Sequence, residues 1–154
     1  MIWNIIIIPY YAMGEGRKII MTRHESRELA FILIFEKSFQ KDISVTELID
    51  SAVELELFPH NEFAESLAKK VYLKLDEIDA LIEENLVGWS AKRISKATKA
   101  ILRLAVCEML YSEDMPVGVA INEAVEIAKK YASTEDASYI NGVLGSIAKK
   151  KLDK

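Results

Sequence analysis

The sequence predicts an all-α protein, a compact bundle of about seven helices, on three observations. Apolar residues recur at three- and four-residue spacing along most of the chain. Glycine and proline are few, six and three in 154 residues, so little punctuates these runs. No alternating strand pattern appears after residue 20. A chain of this length suits one domain with a substantial core. Its 51% hydrophobic and 29% charged residues fit a folded globular chain rather than a disordered one.

The elements follow in order. Thr22 with Glu25 forms a capping box that starts the first helix, and Leu29, Ala30, Leu33, Ile34 and Lys37 carry it to about Gln40. Ser44 with Glu47 repeats the signal for a second helix through Leu48, Ile49 and Ala52, ending near Phe58 and Pro59. Asn61 caps a long third helix with Phe63, Leu67, Val71, Leu75, Ile78, Ile82 and Leu86 on one stripe, and Asp76 offers a point to divide it. Gly88 punctuates, and residues Trp89–Ile94 form a short turn of helix. Ser95 caps a helix through about Tyr111. Pro116 opens the next, whose apolar face is Val117, Ala120, Ile121, Ala124, Val125 and Ala128. The run Ser133–Asp136 ends it and supplies Asp136 as N-cap of the last helix, which turns Ile140, Val143, Leu144 and Ile147 inward.

Residues 1–20 read differently from the rest. Their apolar run from Ile2 to Tyr11 is broken by Pro9, is too short to span a bilayer and lacks the basic leader of a signal peptide. Residues Gly14–Arg17 can be encoded by a purine-rich string resembling a ribosome-binding site, three codons ahead of Met21. The expectation is therefore a non-native or mis-assigned extension over 1–20 and a single helical domain over 21–154.

Catalysis finds no foothold. His24 and His60 are the only histidines and Cys107 the only cysteine, which gives no zinc-site spacing. No glycine-rich phosphate loop or nucleophile elbow is present. A non-enzymatic protein without cofactor or metal is expected. Cys107, among Leu104, Ala105, Val106 and Leu110, reads as a buried small hydrophobe in a reducing, cytoplasmic setting.

Net charge is −4, but its signs are separated. Between Ser44 and Gly88 eleven acids face only Lys69, Lys70 and Lys74. Trp89–Val106 contains no acid and carries Lys92, Arg93, Lys96, Lys99 and Arg103. A local anionic partner requires such a separation, although solvated helix faces also produce it. Lys96, Lys99 and Arg103 align on one side of their helix. Flanked by Leu102 and Leu104, Arg103 reads as a partly buried structural arginine paired with Glu108 or Glu123. Tyr139 is either a core tyrosine or a ring able to stack on an unpaired base. Asn122 and Asn141 read as polar bonds between helices, with Gly142 allowing close approach, and Glu123 as a structural acid.

Three blocks carry a family resemblance: RHESRELAFILIFE from Arg23 to Glu36; Trp89, Arg93 and Ile94 with ILRLAVCEML from Ile101 to Leu110; and AINEAVEIAKKYA followed by YINGVL. Together, from about Met21 to Leu152, they resemble the NusB family of bacterial transcription antitermination factors. The resemblance implies a helical RNA-binding adaptor of the cytoplasm, without membrane contact. It should pair with the ribosomal protein NusE and bind single-stranded boxA RNA of nascent ribosomal transcripts. The complex should ride with the RNA polymerase elongation complex and other Nus factors. The arginine-rich start of the family's first helix maps onto Arg23, His24 and Arg27, and its RNA-facing aromatic onto Tyr139. Lys96 and Lys99 join these as expected phosphate contacts, and Asp136 is an expected partner contact. A monomer and a homodimer both remain open. The rival readings are a helical protein–protein interaction module without direct RNA binding, and a helical domain of the kind fused to RNA cytosine methyltransferases, which would need a catalytic domain on another chain.

Overall fold

The computed structural model describes residues 21–57, 59–86 and 94–152, and every regular element among them is an α-helix. The expectations for residues 1–20 and for the short helix around Trp89 lie outside the described residues. In order the helices are α1 (Arg23–Lys37), α2 (Val45–Glu54), α3 (Glu62–Leu73), α4 (Leu75–Glu84), α5 (Lys96–Tyr111), α6 (Val117–Tyr131) and α7 (Thr134–Leu152). Two compact units, residues 1–69 and 70–154, divide the chain within α3.

In the first unit, both predicted capping boxes form. Glu25 N donates to Thr22 Oγ1 at 3.1 Å while Thr22 N donates to Glu25 Oε2 at 2.9 Å. Ser44 and Glu47 exchange the same pair of bonds, each at 3.1 Å. These bonds satisfy donors that a helix start leaves without partners. Beyond its first turn α1 is buried around its whole circumference: Leu29, Ala30, Phe31, Ile32, Leu33 and Ile34 are each at most 2% exposed. The sequence stripe is therefore only part of the buried surface, because Phe31 and Ile32 are enclosed as well. α2 packs against α1 and contributes Leu48, Ile49 and Ala52 to the core.

The second helix stops earlier than Pro59 suggests. Leu57 N donates to Ala52 O at 2.9 Å and Glu56 N to Val53 O at 3.1 Å, the bond pair of a Schellman ending. Glu56 occupies the left-handed position of this motif with φ 53°, where a side chain is disfavoured and glycine is the usual choice.

The long third helix divides, and Lys74 rather than Asp76 marks the break, with φ −109° and ψ 22°. Asn61 caps α3, accepting from Ala64 N at 2.9 Å through Oδ1.

In the second unit, α6 packs against both α5 and α7, and α4 lies against α5. Small residues on α6, Ala120, Ala124 and Ala128, are at most 2% exposed, as are Ile101 and Leu104 on α5 and Ile140, Leu144 and Ile147 on α7, the helices it packs against. Two polar ties fix the register of these helices. Arg103 on α5 donates from Nε and Nη2 to the two carboxylate oxygens of Asp79 on α4, both at 2.8 Å. Ser146 on α7 donates to Asn85 Oδ1 at 2.9 Å, while Asn85 Nδ2 donates to Leu81 O at 2.8 Å.

Arg103 is thus a partly buried structural arginine, but the carboxylate that holds it is Asp79, not Glu108 or Glu123. Glu108 lies five residues on, 140° around the helix from Arg103, and turns into the interior at 3% exposure. Asn122 and Asn141 are both exposed, so they do not bond helices together. A side chain added at Gly142 would meet nothing within 4 Å, which removes the close approach expected there. Asp136 is not the N-cap of α7. Ser133 precedes the helix, accepts from Asp136 N at 3.0 Å and donates to Asp136 Oδ2 at 2.8 Å. Cys107 is fully buried, and burial pushes its thiol up to about 12.

Glu56→Gly is expected to stabilise the protein by about 1 kcal/mol, because it relieves a left-handed side chain at a helix end. A lower midpoint in chemical denaturation would contradict this. Asp79→Ala strands a partly buried guanidinium and is expected to cost about 2–3 kcal/mol, measured by the same denaturation; a change below 0.5 kcal/mol would show that the pair is idle.

Candidate nucleic-acid interface

Each unit assembles one cluster of the expected site residues. In the first, the starts of α1 and α3 lie side by side. Asn61 Nδ2 donates to Ser26 Oγ at 2.9 Å, and Ser26 Oγ donates to Thr22 O at 3.0 Å. Asn61 also donates from its backbone N to Glu65 Oε2 at 2.7 Å. The cap of one helix is therefore bonded to the first turn of the other. Met21, Arg23, Ser26, His60, Asn61, Glu62 and Phe63 line an open cleft of about 480 Å3 at this junction.

Arg23 is exposed, and its guanidinium carbon sits 4.1 Å from the centre of the Phe63 ring. Arg27, one turn further along α1, is 5.5 Å from the same ring but only 7% exposed. Its depth makes it a packing residue first. His24 Nε2 lies 3.1 Å from Glu28 Oε1. Both acids among these basic residues are thereby engaged locally, Glu25 in the capping box and Glu28 with His24. What faces outward at the tip of α1 is Arg23.

In the second unit the starts of α5 and α7 meet. Ser95 caps α5 by accepting from Thr98 N at 3.1 Å, as Ser133 caps α7. Ser95, Thr98, Ser133, Glu135, Asp136 and Tyr139 line a cleft of about 190 Å3. Both helices direct their N-terminal, partially positive ends towards this neighbourhood. Lys96 is exposed and Lys99 half-buried on the first turn of α5. Arg103 is withdrawn from the basic stripe by Asp79, leaving Lys96 and Lys99 as its forward members among the described residues. Tyr139 is half-buried on the flank of α7, and burial raises its phenol above the ordinary value.

Arg23, His24 and Arg27 thus belong with Phe63 in one unit, and Lys96, Lys99 and Tyr139 with Ser95 and Thr98 in the other. Asp136 joins the second cluster as a bonded member of the cap. Phe63 and His60 join the first cluster without a signal of their own in the sequence, since Phe63 falls on an apolar stripe and His60 in a loop. The nearby pairing of a capping Asn61 with an aromatic two residues later was the available signal. Among the described residues, no group of three or more His, Cys, Asp or Glu side chains is placed to hold a metal ion. No described helix is long and apolar enough to cross a membrane.

Comparison with known proteins shows what the chain as a whole is similar to. The model of the NusB family matches residues 24–149. The transcription antitermination protein NusB of Acetivibrio thermocellus is 43% identical over 133 residues, covering 86% of this chain and 92% of that protein. Its counterpart in Bacillus subtilis is 39% identical over 127 residues, covering 82% and 95%. Among solved structures, NusB of T. maritima aligns with a TM-score of 0.72 at 31% identity, covering 85% of this chain and 93% of that one. A crystal structure of the antitermination factors NusB and NusE in complex with dsRNA aligns with a TM-score of 0.72 at 27% identity, covering 84% and 99%.

Burial favours the neutral form of Tyr139, so the stability it contributes is full below pH 10 and is lost as pH rises through the raised value. An ultraviolet difference titration of the protein against Tyr139→Phe is expected to isolate a phenol ionising above 10.0. A midpoint at or below that value would contradict its burial.

Proposed function

From the premise that the chain belongs to the NusB family, we propose that it is a non-enzymatic transcription antitermination factor of the cytoplasm. With the ribosomal protein NusE it binds boxA-type single-stranded RNA of nascent ribosomal transcripts. The complex joins the RNA polymerase elongation complex with other Nus factors and suppresses premature termination. The observation that supports this reading is the fold-wide likeness to a NusB chain solved with NusE and dsRNA, over 84% of this chain.

The division of labour follows from the two clusters. Arg23, Lys96 and Lys99 neutralise phosphates and release counterions, which makes binding weaken as salt rises. Tyr139 offers the face of its ring to an unpaired base. The exposed acids Asp76, Glu77, Glu83 and Glu84 of α4 give a basic ribosomal protein a complementary surface. No bond is made or broken. The adaptor raises the local concentration of RNA and partner at the polymerase. The rival reading, an interaction module without direct RNA contact, draws on the net charge of −4.

Fluorescence anisotropy with a labelled boxA-type RNA, with and without NusE and across salt, separates the two. Arg23→Ala with Lys99→Ala is expected to weaken binding about tenfold and to flatten the log–log salt slope by about 1.4. Helicity should be unchanged. Arg27→Ala, at a buried position, is expected to lose fold and binding together. Absence of RNA binding in every condition would leave only the interaction module.

A further inference from the structure

We infer that Phe63 holds Arg23 as a stacking platform for an unpaired nucleobase, so that the first unit binds RNA by base stacking as well as by charge. This rests on the RNA-binding reading above and adds to it a residue, Phe63, and a mode of contact.

The geometry supplies each part. The guanidinium of Arg23 lies 4.1 Å from the Phe63 ring centre, the distance of a cation–π stack. A guanidinium is planar, so one laid flat on a ring keeps its second face for another planar group, and Arg23 and Phe63 both line the cleft. The side chain is exposed, which leaves room for a second planar group above it. An arginine held in this way loses little further freedom on binding, and that loss is a main cost of using a long flexible side chain. Lysine in the same place carries equal charge but no plane.

The support beneath the stack is fixed rather than incidental. Phe63 is the second residue of α3, and Arg23 the first of α1. The bonds Asn61 to Ser26 and Ser26 to Thr22 tie those two helix starts together, so neither partner can drift alone. His60 completes the rim. Its Nδ1 is held by Glu65 Oε2 at 2.7 Å, which leaves Nε2 as the ring nitrogen for the edge of a base. Arg27 lies 5.5 Å from the centre of the same ring but is buried, so Arg23 is the exposed cation of the pair.

The test is a double-mutant cycle on the full chain with NusE present, using a boxA-type RNA that carries 2-aminopurine at single positions. Stacking quenches this base, so fluorescence reports the contact separately from affinity. Arg23→Lys and Phe63→Leu are each expected to weaken binding about tenfold with the salt slope retained, and to abolish quenching at one RNA position. The double variant should bind no worse than either single one. If Arg23→Lys binds and quenches like the wild type while Arg23→Ala is weak, Arg23 acts as charge alone. The stacking inference then falls and the RNA-binding function stands. If the wild type binds no RNA, both fall. Circular dichroism checks the fold of Phe63→Leu, and should that variant be unfolded, the Arg23→Lys arm decides.

Discussion

A helix buried around its whole circumference can meet solvent only at its ends, and this constraint governs the first unit. From Ser26 to Ile34 no residue of α1 is more than 7% exposed. Solvent contact on α1 is therefore left to its opening turn, where Thr22, Arg23 and Glu25 lie, and to its last residues. The capping box fixes that turn, and the bonds through Ser26 and Asn61 extend the fixity to the start of α3. Arg23 lies against the ring of Phe63, 4.1 Å from its centre. Arg27 sits on the same helical face one turn deeper, and the four-residue offset turns a surface cation into an interior one. The cost of enclosing that charge is lowered by the aromatic ring it shares with Arg23.

The second unit solves a different problem, the positioning of two helix starts by polar ties placed far behind them. Arg103 with Asp79 and Ser146 with Asn85 lock α5 and α7 to α4. Ser95 and Ser133 then bring the capped ends of α5 and α7 to a common cleft with Tyr139 on its wall. A tyrosine at the edge of an apolar stripe is half-buried by construction. Tyr139 lines that cleft while its hydroxyl is buried, so the phenol is raised by burial and the side chain is only half in solvent.

Local chemistry was legible in the sequence, and long-range pairing was not. The capping residues Thr22, Ser44, Asn61 and Ser95 announced four helix starts because each acts within three residues of itself. The break at Lys74 gave no such signal, for neither glycine nor proline marks it. Asp79 as the partner of Arg103 lies 24 residues away, beyond any helical repeat, whereas the nearer acids looked equally suitable on charge alone. Asn122 misled for a geometric reason: two residues from Ala120 is a rotation of 200°, so a core alanine there sends Asn122 to solvent. Asn141 and Gly142 fall outside the arc of Ile140, Val143, Leu144 and Ile147 on the same argument. The family resemblance located the ends of α1 and α7, but Phe63 entered the site only through the packing of α3 against α1.

Cys107 has a practical corollary. It is the sole cysteine of the chain, enclosed in α5 with its thiol pushed up to about 12, and so carries almost no thiolate at neutral pH. A cysteine introduced on the surface would be modified alone, without first removing the native one. Maleimide dyes or spin labels placed beside either cleft would then report distances between the two units in solution.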